Sequence, residues 1–199
     1  MKRFLFGLLG FVVVWIVGFA PQFLAYFHVP GIIIFGLEGL LSIVGYLLFV
    51  RLVEKRKATE LSLYRVSLLP LGSFVGLVWF SLLMLMLYVA GHYEISGVGF
   101  PNRFLSAITF ALGTAVWEEV TFRGLLFRVT EQTFGTWIGV LVSAVAFGAL
   151  HGLNPNGSLA ASIAIILESG LLLAAAYFAT RTLWLPIRWL PIGEERWAG

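Results

Sequence analysis

An all-α, polytopic transmembrane helix bundle is the fold this sequence predicts, and three observations predict it. Hydrophobic residues make up 60% of the 199 and charged ones 12%, against about half and about a quarter in soluble domains. Mean hydropathy is +0.96. The apolar residues also fall into runs of about 20, the length a helix rising about 1.5 Å per residue needs to cross a hydrocarbon core about 30 Å thick. Together these exclude a soluble globular domain.

The first run, Phe4–Ala20, follows Met1-Lys2-Arg3 and has the outline of a signal peptide. Pro21 is a poor scissile partner after Gly18-Phe19-Ala20, and further spans follow, so the run reads as a retained first span. Five more spans are expected at Gly31–Val50, Val66–Ala90, Leu105–Phe127, Trp137–His151 and Leu159–Phe178. A short Trp- and Pro-rich apolar segment, Leu183–Ile192, adds a partial seventh. The chain contains no internal repeat, and its longest hydrophilic stretch, Arg51–Arg65, is too short to fold alone. Residues 1–199 are therefore expected to form a single membrane domain.

Lys and Arg in short loops resist translocation and stay cytoplasmic. Lys2 and Arg3 precede span one, Arg51, Lys55, Arg56, Lys57 and Arg65 lie between spans two and three, Arg128 follows span four, and Arg181 and Arg188 follow span six. The intervening loops carry only Arg103. The expectation is a cell-membrane protein, bacterial or archaeal, with a cytoplasmic N-terminus. The same placement explains the net charge of +3 without nucleic acid as a partner.

There are ten Glu but no Asp and no Cys, which excludes disulfides, thiolate metal sites, a Cys nucleophile and an aspartyl pair. Ionisable groups inside spans each oppose insertion by about 2.5–3.5 kcal/mol, so they face a cavity or a partner within the bundle. The densest group is Trp117-Glu118-Glu119-Val120-Thr121-Phe122-Arg123-Gly124 in span four. Glu119 and Arg123 stand at i and i+4 and share a helix face, in the order that favours pairing. Glu118 points about 100° away, which leaves it for a different role such as proton transfer. The same three residues could equally be a structural ion-pair cluster.

The second position is His151, ending Phe147-Gly148-Ala149-Leu150-His151-Gly152. A neutral imidazole there serves as base, donor or metal ligand, or is simply a hydrogen-bonded histidine at a helix end. Phe147 and Gly148 precede it on one face, giving an aromatic, a gap and a polar ring. Glu38 in span two reads as a protonated acid hydrogen-bonded within the bundle. Glu168 in span six is a further candidate site residue, because that span follows the His151 helix directly. Trp15, Trp79, Trp117, Trp137, Trp184, Trp189 and Trp197 read mostly as interfacial or packing aromatics.

Glu118-Glu119-x-x-x-Arg123 and Phe147-x-x-x-His151, in consecutive membrane segments, resemble the CPBP family of CAAX proteases and bacteriocin-processing enzymes, also called Abi. The family-like core runs over about residues 104–187 and includes the Gly170–Tyr177 helix and Leu183-Trp184-Leu185-Pro186-Ile187. The resemblance implies peptide-bond hydrolysis within the membrane. Glu118 would activate water, His151 would assist as base or ligand, and the Glu119–Arg123 pair would hold the helix. It also implies a peptide or lipid-modified protein as substrate, and leaves open a divalent metal such as zinc, bound by Glu118 and His151, with metalloprotease chemistry.

The C-terminus, residues 188–199, departs from the family pattern. Leu190 and Glu194 occupy the positions of the family's second catalytic His and its following Asn or Asp, and no His follows His151. A zinc site needs three protein ligands, and the third is not found. The alternative is a non-catalytic CPBP-like membrane protein acting in bacteriocin immunity or partner binding; an ion path is a third reading. One difficulty concerns depth. Glu118 lies about 13 residues into span four and His151 about 14 into antiparallel span five, which puts them at different levels at about 1.5 Å per residue. Tilt, a kink or a shifted boundary must bring them level if they share a site.

Overall fold

The structure, a computed structural model, describes residues 2–94, 97, 101–154 and 157–187 of the chain. These form a helical bundle, and no strand occurs among them. Helix α1, Lys2–Phe19, continues without a break into a 3-10 segment, Ala20–Phe27, where Pro21 occupies the first turn. Next come α2, Gly31–Leu52, and α3, Leu68–Val89. Helix α4, Pro101–Glu119, passes through a π segment, Val120–Phe127, into α5, Arg128–Phe134. Helix α6 covers Thr136–Gly152. Span six is α7, Leu159–Ile165, a π segment, Ile166–Gly170, and α8, Leu171–Thr180. The short α9, Trp184–Ile187, closes the described chain.

Among the described residues four stretches are long and apolar enough to cross a membrane: Phe4–Phe27, Gly31–Leu52, Leu68–Val89 and Leu159–Thr180. The fifth expected span, Trp137–His151, falls in the helix Thr136–Gly152, which is apolar but only 17 residues long. Along α1, Leu5, Phe6, Leu9, Val12, Val13 and Ile16 are exposed while Val14 is buried. A continuous apolar outer face of this kind fits hydrocarbon and not water. The chain is a multi-pass membrane protein.

The boundary of span four is corrected by the structure. Arg128, expected in a loop, is inside the helix and buried, with Nε donating to the Gly124 carbonyl at 2.8 Å and Nη2 to Glu54 Oε1 at 2.6 Å. The helix ends seven residues later than expected, at Phe134, and is followed by Gly135, whose φ of +93° is a conformation that suits glycine and few other residues. This single residue joins α5 to α6.

The later boundary removes the difficulty over depth. Glu118 lies 17 residues before Gly135 and His151 lies 16 after it, so at about 1.5 Å per residue both stand roughly 25 Å from the turn.

The main core is Val14, Tyr46, Val50, Val120, Leu125, Phe127, Ala174, Tyr177 and Leu183. It lies between the level of Glu118 and the end of the bundle where the basic loops gather. At that end Phe4 meets Phe134 edge-on at 5.0 Å, Arg181 pairs with Glu131 at 2.5 Å, and Arg65 donates to the Thr180 carbonyl. The expected seventh segment is a single helical turn in its described part and packs on the hydrophilic loop. The Leu183 N–H and Thr182 hydroxyl donate to the Glu60 carbonyl at 2.9 and 3.1 Å, and the Trp184 indole donates to Ser62 at 3.0 Å. The chain's far end thus adds to the order of a loop that Arg56 also ties within itself to Glu54 and Glu60.

Candidate active site

Close packing of α2 on α4 sets one wall of the site. A Cβ on Gly113 would collide with the Phe35 carbonyl, so glycine there lets the two backbones touch. On the facing side α6 runs antiparallel to the α4–α5 helix. Glu118 Oε1 lies 3.4 Å from His151 Nε2, with the carboxylate side chain 9% exposed and the imidazole 28%.

The histidine ring is oriented by its own helix. Nδ1 stands 2.9 Å from the Phe147 carbonyl, which only accepts, so Nδ1 carries a proton and Nε2 turns to Glu118. Nε2 and the Glu118 carboxyl group then face each other across 3.4 Å. An arrangement of this kind can take a proton from water and return it to a leaving group.

Behind this pair is a fully buried one. Arg123 Nη1 donates to Glu119 Oε1 at 2.7 Å, and both side chains have 0% exposure. Arg123 Nη2 lies 3.3 and 3.2 Å from the carbonyls of Ser169 and Gly170. Those carbonyls belong to the π segment of span six, where i→i+5 geometry turns backbone acceptors out of register. The π segment of span four is satisfied similarly: Ser143 Oγ donates to the Phe122 carbonyl at 3.3 Å, while Tyr46 Oη and Arg128 Nε donate to Gly124. Two irregular helix segments therefore face each other across Arg123, as buried irregular backbone in membranes must when its polar groups need partners.

Phe147 connects the two pairs. The guanidinium carbon of Arg123 lies 4.6 Å from its ring centroid, and the His151 ring is 4.4 Å away on the same helix. Phe122 packs edge-on against it at 5.1 Å. Gly148 does not open a gap for substrate, because the Ser162 carbonyl and Ile166 of span six press against it.

Glu118 and His151 line a cavity of about 640 Å³. Trp15 and Phe19 come from α1, Phe35 and Glu38 from α2, Phe110, Thr114, Trp117 and Phe122 from the α4 helix, and Leu150, Leu153 and Asn154 from the end of α6, with Gln22 from the 3-10 segment. Sequence reasoning missed two features of it. Glu38 was expected to be a hydrogen-bonded acid in the bundle, and Gln22 does donate to it at 2.6 Å, but both face the cavity. Trp15 and Trp117, read as packing aromatics, form a cavity wall with Phe19, the Trp15 and Phe19 rings stacked at 5.6 Å. The signal available was the conjunction of Trp, Phe and Gln near the end of span one with an acid in span two.

Glu168 is exposed and is not among the residues lining this cavity. The zinc expectation also finds no support. Glu118 and His151 supply two donors, one fewer than a catalytic zinc site takes, and no group of three or more His or Glu that could hold a metal occurs among the described residues. Leu190 and Glu194, at the positions of the family's third motif, lie outside the described residues.

Residues 99–188, just under half of the chain, match the model of the Rce1-like family, described as type II CAAX prenyl endopeptidase Rce1-like. No curated protein and no solved structure matches the chain. The matched segment contains Glu118, Glu119, Arg123, Phe147 and His151 and agrees with the CPBP resemblance that those residues carry. It supports a CAAX-type intramembrane protease or a related membrane protein.

Proposed function

We propose that this protein is an intramembrane endopeptidase of the CPBP type, and that Glu118 and His151 activate the water that hydrolyses a peptide bond. The observation carrying this reading is the 3.4 Å approach of Glu118 to His151 on the wall of an apolar cavity, within the segment that matches the endopeptidase family. In the carboxylate–imidazolium form, Glu118 takes a proton as the water oxygen bonds to the scissile carbonyl carbon. The imidazolium offers Nε2–H to the developing oxyanion. The proton on Glu118 then passes to the leaving nitrogen as the C–N bond breaks. Glu119 and Arg123 act as positioning residues, holding the α4 helix against span six and Phe147 against His151. No step runs through a metal.

The substrate is a peptide or lipid-modified protein segment at the membrane. The basic loops orient the chain in the cell membrane with its N-terminus in the cytoplasm. The test is purified protein in liposomes with candidate peptides, prenylated ones included, and mass spectrometry to read new termini. Wild-type protein cleaves, and Glu118→Gln lowers the rate by about 10²–10⁴-fold. Undiminished cleavage by that variant removes the mechanism.

One observation favours a second reading, a non-catalytic CPBP-like protein acting in bacteriocin immunity or partner binding. Leu190 and Glu194 stand where the family pattern has His and Asn or Asp. On that reading the wild type cleaves none of the peptides and is cross-linked through the cavity to a partner's transmembrane segment.

A further inference from the structure

The two ends of the bundle differ chemically, and the cavity belongs to one of them. Lys2, Arg51, Lys55, Arg56, Lys57, Arg65, Arg128 and Arg181 gather where α2 ends, α3 begins and α5 and α8 end. The opposite end is formed by the 3-10 segment, the start of α2 and the end of α6, and there the sequence supplies only Arg103.

The cavity walls come from that second end: Trp15 and Phe19 late in α1, Phe35 early in α2, and Leu153 and Asn154 past the end of α6. Leu153 and Asn154 are exposed, so the cavity reaches the surface there. From the basic end the way is closed. Arg123 and Phe147, directly behind the Glu118–His151 pair, are 0% and 1% exposed. Beyond them lies the main core, packed at a density that admits no polypeptide. The Arg128–Glu54 and Arg181–Glu131 pairs cover it.

We infer that substrate reaches Glu118 and His151 only from the end opposite the basic loops. Since loops rich in Lys and Arg stay in the cytoplasm, the substrate is a polypeptide segment presented at the non-cytoplasmic face or in the outer half of the membrane. Phe23, Tyr26 and Phe27 of the 3-10 segment and Leu153 beside the mouth are 62%, 81%, 77% and 79% exposed. Aromatic residues so placed anchor at the headgroup level, which sets the mouth at the membrane surface. The substrate class rests on the endopeptidase reading; the side of entry does not.

The chain has no cysteine, so single-cysteine variants report access without background. In right-side-out membrane vesicles, an impermeant maleimide labels Asn154→Cys and Tyr26→Cys directly, but labels Lys57→Cys and Tyr64→Cys only after permeabilisation. The paired positions at each end keep the answer available when one variant fails to accumulate. Within the cavity, Thr114→Cys reacts with an impermeant methanethiosulfonate from outside. The reverse pattern, or Thr114→Cys reached only from the basic side or from neither, overturns the inference. Labelling needs no cleavage. An inactive protein that labels as expected loses the endopeptidase reading and keeps the side of entry.

Discussion

Glu118 Oε1 and His151 Nε2 stand 3.4 Å apart because the two residues are almost equidistant from Gly135, one 17 residues before it and the other 16 after. The contact is a property of a helical hairpin with a one-residue turn. Shifting either helix by a turn would move one group about 5.4 Å along the axis and separate the pair.

Replacing His151 with Gln removes the imidazolium that donates to the oxyanion while keeping a polar side chain of similar reach. Cleavage is expected to fall by about 10²–10⁴-fold with little change in thermal unfolding in detergent, since the imidazole is partly exposed. Activity equal to wild type would show that Glu118 acts without it.

Arg123→Ala leaves the Glu119 carboxylate buried without its partner, as well as the Ser169 and Gly170 carbonyls. Breaking one side of a buried pair destabilises by about 3–5 kcal/mol. The double variant Glu119→Gln with Arg123→Met removes the charge from both sides and is expected to recover a large part of the loss. Equal melting temperatures for wild type and Arg123→Ala would contradict the structural role of this pair.

Gly113→Ala drives a methyl group into the Phe35 carbonyl and pushes α2 from α4, for about 1–3 kcal/mol of destabilisation. Gly36→Ala is the control, with nothing within 4 Å of the added carbon. Differential unfolding of the two variants, measured against wild type, checks the close approach.

Glu168→Gln is expected to change neither cleavage nor stability beyond about 0.5 kcal/mol, as for other exposed positions. A large loss of activity in this variant would place Glu168 in the site.

The Glu131–Arg181 pair lies at the end of the bundle where the basic loops gather, beyond the four stretches long and apolar enough to cross a membrane, and gives a pH dependence. Burial pushes the Glu131 carboxyl up, but hydrogen bonds from Arg181 and Thr136 outweigh it and hold the group below its ordinary value of 4.5. A carboxyl lowered on folding contributes stability that is fully present above its unfolded pKa and is lost as pH falls through the folded one. Wild type should therefore melt above Glu131→Gln at pH 7, and the difference should shrink as the pH falls below about 4.5. A gap that stays constant down to pH 3 would contradict the assignment.

The residues that hold the site together were visible in the sequence because charge inside an apolar helix opposes insertion and needs a partner. Glu119 and Arg123 could be paired from their i, i+4 spacing alone, and the structure has them at 2.7 Å. The end of the same helix was less legible. Arg128 looked like a loop cation, and its pairing with Glu54, 74 residues away in sequence, together with its bond to the Gly124 carbonyl satisfies it in a buried helix. The π segments at Val120–Phe127 and Ile166–Gly170 left no trace in the hydrophobic pattern either. Their out-of-register, buried backbone acceptors are satisfied by the side chains of Ser143, Tyr46, Arg128 and Arg123.

By itself the sequence determined that the chain is helical and lies in a membrane, and which of its helices carry acid and imidazole, because hydropathy and short-range spacing are local quantities that insertion energy makes decisive. Tertiary structure alone decided that Glu38 faces the cavity of Glu118 and His151 while Glu168 is exposed and not among its lining residues. Those outcomes depend on helix rotation and depth, which are fixed by packing between segments distant in the chain and not by the order of residues along any one of them.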